Sequence, residues 1–379
     1  MTTTMSSGPE TPARSGTDVP ASKPETSAGR RKSPRGSGSR HSVLLRYLGI
    51  RALLIVPTTW ILVTIVFFLM RVVGDPITAA MGGRLPAEQI EARKEAAGLN
   101  RPILTQYWEY LTGLLRGDFG RTQDNRAVSE VIVTYGAATL ELVFWALLVA
   151  FAIGIPLGRF AATHRDTAPD VGLRLFAVLS YAAPVFFVGM LLKLVFAVQL
   201  GWLPVAGRAS TNVELALNNV SPKTNIMVVD AILYGDPGYL MDVLKHAVLP
   251  AIALGLLTAG VFLRLVRVNL LQTLRAGYVD AARARGLSKR VVVGRHAFRN
   301  SLIPVVTVMG MYIAVHLGGA VLTETTFEWK GLGYQLAQYL QARDFMAVQG
   351  IVAFIALVVA VMSFVIDLVV AMIDPRVRF

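Results

Sequence analysis

Apolar residues along the chain gather into six long runs, at positions 52–70, 137–157, 175–200, 247–263, 302–322 and 347–373. Charged, Gly-rich or Pro-rich sequence bounds each of them. About 20 apolar residues in a helix cross the hydrocarbon core with every backbone group satisfied internally, so each run is expected to be a membrane span. Pro57, Pro156 and Pro184 fall inside or at the ends of these runs. Membrane helices tolerate proline, because neighbours and waters re-satisfy the freed carbonyls. The predicted fold class is an all-α membrane protein with about six transmembrane helices.

Composition agrees with the pattern. The 379 residues are 54% hydrophobic and 16% charged, with a mean hydropathy of +0.54, whereas an ordinary soluble domain is about 25% charged. The net charge of +13 raises the question of nucleic acid, and its distribution answers it. Residues 1–51 carry nine Lys/Arg against three acids, and 264–299 carry nine against Asp280 alone. Residues 74–135 are nearly balanced and 201–242 are net acidic. Basic segments therefore alternate with neutral ones, as the positive-inside rule requires. Both termini and the loops 163–172 and 264–300 are placed in the cytoplasm, and 74–135, 201–242 and 323–345 outside. A nucleic-acid partner would need one basic face interleaved with aromatics, and the chain has none.

The Ser/Thr/Pro/Gly-rich start cannot bury a core and is expected to be disordered. Its cations at 30–40 fix topology or touch anionic lipid, where each is worth about 1 kcal/mol. No small-residue cleavage site follows the first run, which is read as a retained anchor. The external stretch 74–135 is longer than a connection needs. Its parts 86–99, with Glu88, Glu91 and Glu95, and 103–115, alternating aromatics and leucines, suggest amphipathic helices. These fit either a small extracytoplasmic subdomain or helices lying on the membrane surface.

Chemistry is sparse. With no cysteine there is no disulfide, thiolate metal site or Cys nucleophile. The five histidines are scattered, no G-x-x-x-x-G-K-[ST] loop occurs, and no acid pair or His cluster marks the spans. The chain is therefore expected to be no enzyme and to hold no cofactor, leaving nucleotide hydrolysis to a partner. Ionisable residues at membrane depth are Glu141, Lys193, His316, Glu324 and Asp367. For Glu141, Lys193 and Glu324, near outer ends, snorkelling or capping stands beside a substrate contact. Asp367 reads as structural. His316, next to Gly318 and Gly319, reads first as a polar contact between helices and second, with Glu324, as a residue of the translocation path.

The basic loop is the most informative segment. Asp280 leads into Ala281, Ala282, Arg283, Ala284 and Arg285 before Gly286, the pattern of a short helix ended by glycine. Ala281, Ala282 and Ala284 give it a narrow surface that another protein can approach. From composition alone a solvated basic loop that only sets topology explains it equally well.

Asp280-Ala281-Ala282 followed by Gly286, and later Ile303-Pro304, resembles the E-A-A…G…L-P loop of ATP-binding-cassette importer permeases, with Asp for Glu and Ile for Leu. The long spacing to Pro304 is similar to the peptide and nickel importer branch. So are Ser180-Tyr181-Ala182-Ala183-Pro184, Leu200-Gly201-Trp202-Leu203-Pro204 and Gly318–Phe327 leading into Trp329-Lys330-Gly331-Leu332-Gly333, although that branch usually has Pro at the Lys330 position. Arg343-Asp344 before Gln349-Gly350, and Gly74-Asp75-Pro76, complete the resemblance. It implies a type I importer permease in a bacterial inner membrane, the first of two homologous permeases. Two ATPase subunits that bind ATP and Mg and an external binding protein complete the implied assembly. On that reading 1–45 is a basic cytoplasmic tail, 46–136 a first span with an extracytoplasmic helical segment, and 137–379 the permease core. Asp280, Ala281, Ala282, Arg285, Gly286, Leu287 and Ser288 would form the coupling element, with Ile303 and Pro304 closing the motif. The cargo is left open among di- or oligopeptides, nickel chelates and haem. An ion-coupled secondary transporter is the alternative of another class; it should show inverted repeats and buried carboxylate relays, and neither is apparent.

Overall fold

A computed structural model describes residues 40–74, 77–78, 86–96, 98–219, 221 and 223–373. The predicted tail lies outside the described residues up to Arg40, where α1 (Arg40–Val73) begins. Asp75 and Pro76 also fall outside them. The described residues are helical with no named strand: α2 (Ala87–Ala96), α3 (Ile103–Leu115), α4 (Val128–Thr163), α5 (Ala168–Ala182) and α6 (Val185–Leu192) come first. Then come α7 (Thr211–Leu217), α8 (Met227–Tyr234), α9 (Pro237–Thr273), α10 (Gly277–Ala284), α11 (Lys289–Gly318), α12 (Val321–Phe327), α13 (Leu332–Gln341) and α14 (Phe345–Ile373).

Among the described residues, five helices are long and apolar enough to cross a membrane: α1, α4, α9, α11 and α14. The third predicted span departs from expectation. It is broken, with α5 and the run Val185–Gln199 meeting at 107°. The cause is Pro184, which lacks an amide hydrogen and pushes the residue before it out of the helical region; Ala183 is extended, at φ −74° and ψ 131°.

Packing shows that this broken pair still returns across the bilayer. Added β-carbons at Gly255, Gly154 and Gly158 would meet Ala146, Ala259 and Leu263, so residue numbers rise together along α4 and α9 and the two helices run parallel. A chain that leaves α4 at one face can enter α9 in the same direction only by crossing back between them. The contacts trace that crossing: Asp170 bonds Arg267, Gly260 abuts Ala177, and Ala197 packs with Leu249 and Ala253. Numbers rise along one partner and fall along the other. By the same logic α11 returns beside α9, with His316 on Thr258. α14 then runs back along α11, with Gly310 against Ile366. Six crossings result among the described residues, with the helix ends at Arg40 and Ile373 on the side of the basic loop.

The apolar seams are tight because small residues let backbones approach. Polar anchors fix the ends. At the basic end the buried Asp170 carboxylate accepts two bonds from Arg267, at 2.6 and 2.7 Å, tying α5 to α9. Asp170→Ala leaves the partly exposed Arg267 guanidinium without its partner and unties α5 from α9. The purified variant is expected to unfold well below the parent in a detergent thermal melt; an unchanged transition would show the pair to be dispensable.

Candidate functional site

Helix α10 is built as an outlying hairpin at the basic end. Its Val279 and Ala282 are buried with Ala162, Leu270, Val292, Val293 and Ala297, so one face is bolted to α4, α9 and the start of α11. The other face carries Tyr278, Ala281, Ala284 and Arg285, all exposed. Asn300 donates to the Tyr278 hydroxyl at 3.0 Å, and Arg283 donates to Asp280 at 3.0 Å one turn back.

The helix stops because Gly286 takes a left-handed conformation, φ +77°, which side chains resist and glycine does not. Its amide donates to the Arg283 carbonyl at 2.9 Å and the Leu287 amide to the Ala282 carbonyl at 3.4 Å. Together these make a Schellman closure that satisfies the last carbonyls and turns Leu287 and Ser288 away from the axis.

One expectation changes. Ala282 does not belong to an outward surface with Ala281 and Ala284; the 100° step of the helix turns it onto the buried face, into the chain's own core. At Gly286 an added β-carbon meets nothing of this chain within 4 Å, and the left-handed φ of +77° makes any side chain there strained. Ile303 and Pro304 lie apart from α10, exposed where regular helix resumes after Leu302.

Of the polar residues expected at membrane depth, Glu141, His316 and Glu324 are buried inside the subunit, and Lys193 and Asp367 are half-buried. His316 is buried with its Nε2 2.6 Å from the Thr258 hydroxyl, an interhelical contact between α11 and α9. Glu141 accepts from the amides of Met227 and Val228, both at 3.0 Å, and from Arg208. It caps α8, whose free amides favour a negative partner. Lys193 donates to the Thr326 carbonyl at 2.8 Å, near the end of α12, where a cation is favoured. Glu324 is fully buried, accepting from Thr139 at 2.6 Å and from the Tyr334 amide at 2.7 Å. Asp367 lines a crevice between α1 and α14 with Thr58 and Ser363.

Sequence reasoning missed the partners. Thr139 also accepts from the Leu332 amide at 2.8 Å. Trp329 donates to the Ala138 carbonyl at 2.9 Å while the Arg208 guanidinium sits 5.5 Å over its ring. The outer end of α4 is thereby stitched to both following external segments. No local pattern announces pairs this far apart in sequence, and Thr258 carried no signal at all. The Gly154-x-x-x-Gly158 spacing is a close-packing signal that could have pointed to the α4–α9 seam, and the sequence reading did not draw on it.

Residues 44–155 match the family described as Binding-prot-dependent transport system membrane comp, N-term. Residues 154–379 match Binding-protein-dependent transport system inner membrane component. The chain is 37% identical over 338 residues to the di/tripeptide transport system permease protein DppB of Pseudomonas aeruginosa, spanning 88% of this chain and 99% of that one. It is 33% identical to the glutathione transport system permease protein GsiC of Salmonella choleraesuis, over 89% and 100% of the respective lengths. A solved chain of the MetNI methionine ABC transporter overlays on 64% of this chain and 96% of its own, at 16% identity and a TM-score of 0.47. With its helical spans in place and both family regions matched across nearly the whole described length, this chain belongs to the inner membrane permease components of binding-protein-dependent transport systems.

Proposed function

We propose that the chain is one of two homologous permease subunits of an ATP-driven importer of di- and tripeptides, and that α10 is the element through which an ATPase subunit moves it. The observation that carries the cargo is the end-to-end identity with a di/tripeptide permease, supported by the similarity to a permease for glutathione, itself a tripeptide. The coupling role rests on geometry. An exposed shelf of Tyr278, Ala281, Ala284 and Arg285 backs directly onto the Val279 and Ala282 contacts with α4, α9 and α11.

A force applied to that shelf would pass through those buried contacts into three spans. ATP and Mg belong to the ATPase pair, whose closure would drive alternation between inward-open and outward-open states. An external binding protein would present the peptide. His316 and Glu324 act here as props that hold α9, α11 and the outer segments in register, since each side chain is already engaged within the subunit.

The test is uptake of a labelled dipeptide into vesicles containing this permease with its homologous partner, ATPase subunits and binding protein. Accumulation is expected with ATP inside the ATPase compartment and none with a non-hydrolysable analogue. Accumulation driven by an ion gradient without ATP would overturn the reading in favour of a secondary transporter. ATP-driven uptake of nickel chelate or haem with no peptide uptake would overturn the cargo alone.

A further inference from the structure

We infer that α3 is an interfacial helix sunk into the outer leaflet beside α1, with lipid as the occupant of its exposed apolar stripe. α3 has three faces. Gln106, Tyr107 and Tyr110 turn toward α1, and Thr105 and Glu109 form a polar face exposed to solvent. Between them Leu104, Trp108 and Leu115 are 76%, 67% and 88% exposed, and with the half-buried Leu111 they fall at positions i, i+4, i+7 and i+11. That is one continuous helical stripe, too apolar to be left in water by chance.

Contacts with α1 fix its depth. The outer end of the first span is Val72. The Tyr107 and Tyr110 rings pack on Phe67, at centroid distances of 5.2 and 5.5 Å, and the Tyr107 hydroxyl bonds Thr64 at 2.6 Å. Phe67 and Thr64 lie five and eight residues inside that end, which is about 7 and 12 Å of helix rise. The apolar face of an interfacial helix characteristically sits about 5–10 Å into the boundary. At the upper edge, Arg71 donates to the Gln106 amide oxygen at 2.8 and 3.1 Å, placing a cation where the headgroups begin.

The stripe is also continuous with an exposed apolar surface of the first span. Phe68, Leu69 and Val72 of α1 are exposed apolar residues of the span, and Phe68 packs against Tyr107. An indole at this depth, on Trp108, is the side chain enriched at membrane interfaces. The helix would act as a float that sets the depth and tilt of α1 and holds the external segment against the bilayer.

The chain contains no cysteine, so single spin labels can be placed by Leu104→Cys, Trp108→Cys and Leu115→Cys, with Thr105→Cys and Glu109→Cys on the polar face. In the assembled transporter with cysteine-free partners, reconstituted in phospholipid vesicles, collision with oxygen is expected to exceed collision with a water-soluble nickel chelate several-fold at the first three sites. The order should reverse at the other two. A membrane-impermeant maleimide gives a label-independent reading and should modify Glu109→Cys at least tenfold faster than Leu115→Cys. Nickel-chelate collisions that dominate at 104, 108 and 115 would overturn the proposal in favour of an aqueous subdomain. Low collision with both agents and an immobilised spectrum there would overturn it in favour of a protein partner, such as the second permease.

Discussion

Gly255→Leu is expected to leave little folded permease to recover from the membrane. A β-carbon at Gly255 would stand 2.5 Å from the Ala146 carbonyl oxygen and 3.0 Å from the Val149 β-carbon, and the first of these neighbours is backbone, which cannot rotate aside. The same seam repeats on the facing helix, where Gly154 and Gly158 each leave 2.7 Å to the carbonyl oxygens of Ala259 and Leu263. Relief at Gly255 would push α4 and α9 apart along their shared length and open the contacts at the other two glycines. Overpacking usually costs about 1–3 kcal/mol. Because three contacts part together, the loss here is expected at or above the top of that range, roughly a hundredfold in the folded fraction. The measurement is the yield of monodisperse protein and its thermal transition in detergent. Gly172→Leu in α5, where an added β-carbon meets nothing within 4 Å, should behave like the parent. Equal yields for both leucine variants would show that the parallel α4–α9 packing does not carry the fold.

The outcome at these glycines bears on what the sequence could reveal. Span existence was legible because twenty apolar residues in a row have one stable form in a bilayer. Span ends were less so. α4 extends from Val128 to Thr163, well past the run at 137–157, because Glu130 and Arg159 extend a helix beyond the hydrocarbon without breaking it. The 107° break at Pro184 was legible only as a proline inside an apolar run; whether it kinks or divides a span depends on neighbours. The segment proposed for coupling was legible as a glycine-ended helix, yet its faces were not. Distinguishing Ala281 from Ala282 requires knowing which side meets Leu270 and Val293. The partners of His316 and Glu324 were out of reach for the same reason, since Thr258 and Thr139 are 58 and 185 residues away.

The division between those two alanines supplies the second large effect. Ala281→Trp adds an indole to the exposed shelf of α10 and touches nothing in the chain's own core, so insertion, yield and thermal stability should match the parent. If α10 seats against an ATPase as proposed, the same indole would stand between the shelf and its partner. Uptake in reconstituted vesicles is expected to fall at least tenfold, and ATP hydrolysis should lose its stimulation by peptide-loaded binding protein. Ala282→Trp makes the complementary case. Its ring would enter the cluster of Ala162, Leu270, Val279, Val292 and Val293, so its loss of uptake should come with a lowered thermal transition of the permease alone. Arg285→Glu separates charge from bulk, because an exposed pair across an interface weakens with salt; its defect should shrink as ionic strength rises, while that of Ala281→Trp should not. Full uptake by Ala281→Trp with a normal melt would mean that the ATPase docks elsewhere on the basic end. The loop between α9 and α11 would then be left with only the task its charge performs, holding the chain in its orientation.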